Sequence, residues 1–237
     1  MSTGAFVCSP LSSINIGDGA SIEVFSATIN LECSVIGSGN VSLSCDDGGA
    51  IALGGHSYDS SVPYHLSNSE LALIQTTGTL AIGIHASNVS NMWIDGLSVS
   101  SAAASLLLTA IEGSITFLNT SSAITLNANS ASLAITSKQN TTVGTSLTIS
   151  FSGVSSPSLT MRTDSDCSVT DGDHFAVAST GSVTVPSPSS TAIILDTPRV
   201  SIEGLLNISS TSILKIQRAC ALVFSFLYRF NSMSLAL

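Results

Sequence analysis

Residues 45–57 read CDDGGAIALGGHS and place Asp46 beside Asp47, with the glycine-flanked His56 behind them. Paired carboxylates can cleave a glycosidic bond: one protonates the leaving oxygen while the other activates water. An imidazole nearby could assist. Two features argue against that chemistry. Neighbouring residues on a strand point to opposite faces, so Asp46 and Asp47 do not converge on one bond. No third carboxylate motif accompanies them, and the six basic residues (Lys138, Arg162, Arg199, Lys215, Arg218 and Arg229) all lie far along the chain. An acidic sugar would find no cation there. Asp-Asp-Gly-Gly is read as a turn.

A second acidic cluster, DSDCSVTDGDHF at 164–175, gathers Asp164, Asp166, Asp171 and Asp173. Hard carboxylate oxygens suit Ca²⁺, but the spacing is neither an EF-hand nor a glycine-rich calcium repeat. A solvated acidic loop is expected, with His174 an ordinary loop residue. His65 and His85 have no second ligand at a useful spacing, and no phosphate-cradling loop or G-x-S-x-G elbow occurs. Trp93, within the alternating NMWIDG, reads as core or edge packing and not as a sugar platform. No catalytic, cofactor-binding or metal-ligating residue is assigned, no cofactor is implied, and the chain is read as non-enzymatic. Asn-x-Ser/Thr sequons at Asn40, Asn88, Asn119, Asn140 and Asn207 matter only in a glycosylating host.

Composition narrows the class further. Of 237 residues only 9% are charged, 44% are hydrophobic, and the formal net charge is −9. More than a quarter are Ser or Thr, so hydroxyls supply the polar surface that charges usually provide. Six basic residues are too few to neutralise a phosphate backbone, which excludes nucleic acid as a partner. A weakly acidic, hydroxyl-rich surface suits an extracellular or cell-surface setting. The most apolar run, ACALVFSFLY, holds ten residues between Arg218 and Arg229, against the roughly 20 needed to span a bilayer. No membrane span is expected. The first residues lack a basic stretch followed by a long apolar one, so no secretory signal is visible, and the chain reads as a piece of a longer protein. The cysteines (Cys8, Cys33, Cys45, Cys167 and Cys220) have no C-x-x-C spacing, which argues against zinc. Cys33 and Cys45 share an alternation face with Leu31, Val41 and Leu43. They read as inward core residues, with a Cys33–Cys45 disulfide as the alternative.

The elements that must position these residues are short strands. Ile115-Thr116-Phe117, Ile124-Thr125-Leu126 and Leu133-Ala134-Ile135 each read apolar, small, apolar, and each begins nine residues after the last. Period-2 alternation buries one side of an extended strand, and β-branched residues suit its pleated surface. Related triplets recur from Ile22-Glu23-Val24 to Val200-Ser201-Ile202, with Gly, Asn, Ser and Asp between them. Strands this short, on a near-regular step, predict an all-β solenoid in which two or three steps close a coil, with little helix. A β-sandwich or barrel is the alternative. Ser67, three residues before Glu70, has capping-box spacing, so 67–74 could be a helical turn or, since Leu-Ala-Leu-Ile alternates, a strand. Residues 1–217 are expected to form the solenoid. Residues 218–237 lack turn residues and are expected to be an apolar, non-solenoid segment.

The stretch 64–99 resembles the repeat of filamentous-haemagglutinin-type secreted proteins. Leu66-Ser67, Glu70-Leu71, Ile74, Leu80-Ala81-Ile82-Gly83 and Met92-Trp93-Ile94 carry the likeness, and it extends over roughly residues 35–150. The resemblance implies a right-handed parallel β-helix, secretion, and adhesion or scaffolding. It brings no catalytic residues. The expected function is thus a non-catalytic, structural or adhesin-like segment of a secreted or cell-surface protein, with extracellular carbohydrate or protein as partner. The competing reading is a polysaccharide-acting hydrolase or lyase, because Asp46, Asp47 and His56 are similar in kind to the groups of pectin-hydrolysing β-helix enzymes. A third is an ice- or surface-binding row built on Thr116, Thr125 and Thr148.

Overall fold

The computed structural model describes residues 4–46, 49–55, 62, 64–83, 89–128, 131–153, 156–163, 173–186, 191–209 and 211–217, and the backbone of 226–229. They form a three-faced parallel β-solenoid. Coil 1 comprises β1 (Ala5–Cys8), β2 (Ser13–Ile16) and β3 (Ser21–Ser26); coil 2 comprises β4 (Thr28–Leu31), β5 (Ser34–Gly37) and β6 (Asn40–Cys45). An additional strand, β7 (Ile51–Gly54), precedes coil 3, which runs β8 (Tyr64–Leu66), helix α1 (Asn68–Ala72), β9 (Ile74–Thr76) and β10 (Thr79–Ile82). Coil 4 is β11 (Asn91–Asp95), β12 (Ser98–Ser101) and β13 (Ser105–Ala110). Coil 5 is β14 (Ser114–Phe117), β15 (Ser122–Leu126) and β16 (Ser132–Ser137); coil 6 is β17 (Thr141–Val143), β18 (Ser146–Phe151) and β19 (Ser158–Arg162). Coil 7 is β20 (Phe175–Val177), β21 (Ser182–Val185) and β22 (Ala192–Asp196); coil 8 is β23 (Val200–Ile202), β24 (Leu205–Ile208) and β25 (Ile213–Gln217). A last strand, β26 (Phe226–Arg229), pairs antiparallel with β25.

The nine-residue triplets of the sequence are the three faces of one coil. Ile115, Ile124 and Leu133 lie on β14, β15 and β16, and these residues and Phe117, Leu126 and Ile135 are all buried. One turn of the coil registers Ser105 on Ser132, and the next registers Ser132 on Ser158. Stacking in register converts the alternation into columns. Faces 1, 2 and 3 take the first, second and third strand of each coil, and on face 3 the inward row is Ile22, Val41, Leu80, Leu106, Leu133, Leu159, Ile193 and Leu214. Each fully buried aliphatic side chain contributes about 1.5–3 kcal/mol, so this row and its counterparts hold the stack together.

Corners are held by short polar side chains. The Oδ1 atoms of Asn40, Asn91 and Asn140 accept the backbone N–H groups of Thr79, Ser114 and His174 in neighbouring coils, and Asp95 Oδ1 accepts that of Thr120. Inside one corner, buried hydroxyls satisfy each other: Thr163 donates to Thr197, which donates to the Arg199 carbonyl. Gly54 ends β7 at φ 123, and a Cβ there would strike the Asp95 carbonyl oxygen. Only glycine permits that approach.

Cys33 and Cys45 are both fully buried, as the alternation implies, but the alternative pairing of the two does not form. Cys33 bonds to Cys8, not to Cys45, which is a buried thiol. Cys8 ends β1 and Cys33 follows β4, so the disulfide clamps coil 1 to coil 2, a pairing one coil apart that local alternation does not reveal. Among the described residues no helix is long and apolar enough to cross a membrane.

Candidate functional site

Face 1 contains one more strand than face 2, because β7 lies between β8 and β11. Face 2 is broken at the same level into a sheet of β2, β5 and β9 and a sheet of five strands beginning with β12. Helix α1 fills the corner between the two faces. Its capping box is complete: Ser67 Oγ accepts Glu70 N–H at 3.2 Å, and Glu70 Oε2 accepts Ser67 N–H at 2.8 Å. Glu70 Oε1 also accepts the Leu31 N–H at 3.1 Å, so one carboxylate ties the helix start to coil 2. On the other side, Asn68 Nδ2 donates to Gly96 O at 2.9 Å while its Oδ1 accepts Ser98 N–H at 2.8 Å. Of the two readings of residues 67–74 the helical turn holds: α1 takes up Leu71 and Ala72, Leu73 caps it, and β9 begins only at Ile74.

The wedge closes at the far corner, where Ala104 N–H donates to Gly78 O at 2.9 Å. Between α1 and that corner lies a cleft of about 500 Å³, lined among others by Ile74, Gln75, Ser100, Thr125 and Asn127. Thr77 N–H bonds Gly37 O, and Asn127 N–H bonds Ser101 O. Parallel ladders alternate residue by residue, so the backbones of Thr76 and Ser100 turn toward each other across the gap. Asn127 Nδ2 donates to Ser100 Oγ at 2.9 Å. Among the described residues no charged side chain lines this cleft. It offers hydrogen-bonding side chains and an apolar floor. On the opposite side of α1 a hollow of about 430 Å³ includes Asn30, Glu32, Ser67 and Glu70. Both Glu70 oxygens are already engaged there, and Asn30 Nδ2 donates to Glu32 Oε1 at 3.2 Å.

The structure describes only some of the residues that the sequence singled out. Asp46 is an exposed bend at the end of β6, its N–H bonded to Ser26 O. Asp47, His56, His85, Asn88, Asp164, Asp166, Cys167, Asp171, Arg218 and Cys220 lie outside the described residues. Asp173 is buried, and the adjacent His174 ties coils through its backbone, accepting Thr141 N–H on its carbonyl. Among the described residues no cluster of three or more His, Cys, Asp or Glu side chains could hold a metal. Sequon residues Asn40 and Asn140 spend their side-chain oxygens on coil-to-coil bonds, while Asn119 and Asn207 are exposed.

Trp93 and His65 fall on one outward row of face 1, running His65, Ala52, Trp93, Thr116, Thr142, Ala176 and Ser201. Thr116 is therefore on a different face from Thr125 and Thr148, which lie on β15 and β18 of face 2 and in different rows. They do not form one threonine row. Beneath this level Tyr64 is fully buried and its hydroxyl has no hydrogen-bond partner. Desolvation pushes its phenol far above the ordinary range, and Cys45 adds to this. The Ser44 backbone opposes the shift weakly, without hydrogen-bonding geometry.

Asn68, Gln75 and Asn127 were not singled out from the sequence. The one signal nearby was the capping box, which marks where the strand repeat is interrupted. No family model, curated protein or solved structure matches the chain. The likeness to filamentous-haemagglutinin-type repeats thus rests on the residue pattern alone.

Proposed function

We propose that this chain is a non-catalytic, adhesin-like or scaffolding β-solenoid segment of a secreted or cell-surface protein. It engages neutral extracellular carbohydrate or protein through its outer faces. The observation that carries the reading is the face-2 cleft, which no charged side chain among the described residues lines and which is rimmed by Gln75, Ser100, Thr125 and Asn127. Its volume of about 500 Å³ falls within the usual range of roughly 300–1,000 Å³ for ligand clefts. The Cys8–Cys33 disulfide supports an oxidising compartment, and the resemblance of the repeat to secreted adhesins points the same way. A panel of immobilised neutral glycans, read beside reducing-end release, tests it. The expected result is saturable binding without turnover, weakened about tenfold or more in Gln75→Ala/Asn127→Ala, since each lost hydrogen bond costs about 1 kcal/mol. Turnover abolished by Asp46→Asn would replace this reading with an enzyme.

A further inference from the structure

The fold puts the Asn-x-Ser/Thr sequons that it describes to different uses. Asn119-Thr120-Ser121 falls at the corner between faces 1 and 2 in coil 5. Four residues, 118–121, separate β14 from β15 there, whereas two separate the corresponding strands of coil 4 (Gly96 and Leu97) and of coil 6 (Gly144 and Thr145). Backbone bonds pin this longer corner. Leu118 N–H donates to Ile94 O at 2.8 Å, Thr120 N–H donates to Asp95 Oδ1 at 2.7 Å, and Thr120 O accepts Gly96 N–H at 3.2 Å. Asn119 and Ser121 both stand exposed, and among the described residues neither side chain takes part in a hydrogen bond. Gly96 and Gly144, in the corners on either side, have no side chain to crowd them.

The remaining described sequons are engaged in the fold. Asn40 and Asn140 hold neighbouring coils through Oδ1, each at 2.9 Å from its N–H donor. Two residues after Asn40, the hydroxyl of Ser42 is buried. Asn207 is exposed but lies within β24, and Ser209, two residues on, accepts Thr211 N–H at 3.5 Å and pairs with Thr211 Oγ1 at 3.0 Å. An N-linked sugar needs a surface sequon whose amide and hydroxyl are both within an enzyme's reach. Asn119 with Ser121 meets that requirement.

We propose that Asn119 is an N-glycosylation site, an inference that rests on the secreted reading above. The donor is a lipid pyrophosphate-linked oligosaccharide, supplied with its transferase by the secretory compartment. Asn119 Nδ2 bonds to the anomeric carbon of the first sugar while that carbon's bond to the pyrophosphate oxygen breaks. One amide proton is lost, and the lipid pyrophosphate leaves with the bonding electron pair. The whole of β15 separates this corner from Asn127 in the cleft, so the sugar leaves the cleft open.

The full chain, sent by a cleavable signal peptide into the secretory pathway of a eukaryotic cell, tests this. Chain recovered from cells and medium alike is weighed before and after treatment with peptide N-glycosidase. Release in heavy-oxygen water tags each formerly glycosylated asparagine for peptide mapping. The tag should fall on Asn119 in most copies and on Asn40, Asn140 and Asn207 in few. Asn119→Gln and Ser121→Ala should each abolish the main mass shift, and Ser121→Thr, which keeps the hydroxyl, should retain it. All three should keep the wild-type circular dichroism, since neither side chain is bonded in the fold. A chain that has lost its signal peptide yet carries no tag at Asn119 overturns the proposal. So does equal tagging of Asn40, Asn119, Asn140 and Asn207, or a main mass shift that survives Ser121→Ala. Failure to reach the medium counts against the secreted reading alone, because the tag on the retained chain still decides whether Asn119 is modified.

Discussion

Coils 5 and 6 and coils 1 to 4 solve the same problem by different means. In coils 5 and 6 the strands alternate in and out without interruption, and near-equal steps, from Ser105 to Ser132 to Ser158, bring like residues into register. Backbone ladders and aliphatic columns carry that region, with Asn91 and Asn140 holding its corners. Coils 1 to 4 contain an extra strand, a helix and a split sheet. There the stack depends on particular groups: the Cys8–Cys33 bond, Glu70 bridging to Leu31, and Asn68 bridging to Ser98. The comparison teaches that a repeat can absorb an irregularity if named polar contacts replace the missing ladder. The irregularity is also what creates a concave, ligand-sized surface on an otherwise flat rod.

The largest expected effect belongs to the regular region. Ile124→Asp places an unpaired charge in the column, which costs several kcal/mol. It should abolish the cooperative thermal transition or drive the chain to aggregate. Thr125→Asp, one residue on and partly exposed, should stay within about 0.5 kcal/mol of wild type. Equal effects at the two sites would show that the columns do not carry coils 5 and 6.

In the irregular region, Cys8→Ser should cost about 3.5 kcal/mol, the chain-entropy value for a loop of 25 residues. The loss should be local. Hydrogen exchange should quicken in coils 1 and 2 while coils 5 and 6 keep their protection. Uniform loss of protection would mean the two regions unfold as one unit.

Glu70→Ala removes half the capping box and strands the Leu31 N–H, for about 1–2 kcal/mol. Chemical denaturation should report that loss. Glu70→Gln, which still offers one acceptor oxygen, should recover part of it. A Glu70→Ala chain as stable as wild type would remove the helix from the contacts that support the wedge.

The smallest effect at neutral pH is expected for Tyr64→Phe, since the lost hydroxyl has no partner. The difference should appear in alkali. The folded-state phenol ionises well above its ordinary value near 10, so folding keeps a proton that the unfolded chain releases. The stability present below about pH 10 should therefore decline as pH rises beyond it. Tyr64→Phe should flatten that decline in a series of thermal midpoints against pH. An unchanged slope would assign alkaline loss to other groups.

Much of the architecture was legible because its code is local. Whether Ile124 faces in and Thr125 out depends on two adjacent residues and the pleat of one strand. The nine-residue steps marked successive faces without deciding whether two or three close a coil, and Ser67 with Glu70 allowed a helical turn without deciding it against a strand. The site was harder to read. Asn68 and Asn127 look like ordinary turn residues in a chain rich in them, and nothing nearby shows that β9 and β12 fail to pair.

By itself, then, the sequence determined the strand period, the inward residues, the capping-box spacing and the absence of a basic surface, all set by near neighbours. Only the tertiary structure decided that Cys8 reaches Cys33 and that β7 slips between β8 and β11. Those outcomes depend on register between coils. Face-3 steps are unequal: the long step from Ser158 to Ala192 is succeeded by a much shorter one from Ala192 to Ile213. Each insertion displaces every later coil along the chain. A contact between coils is therefore fixed by the accumulated path of the chain and by which apolar column fills best, not by any stretch of residues read alone.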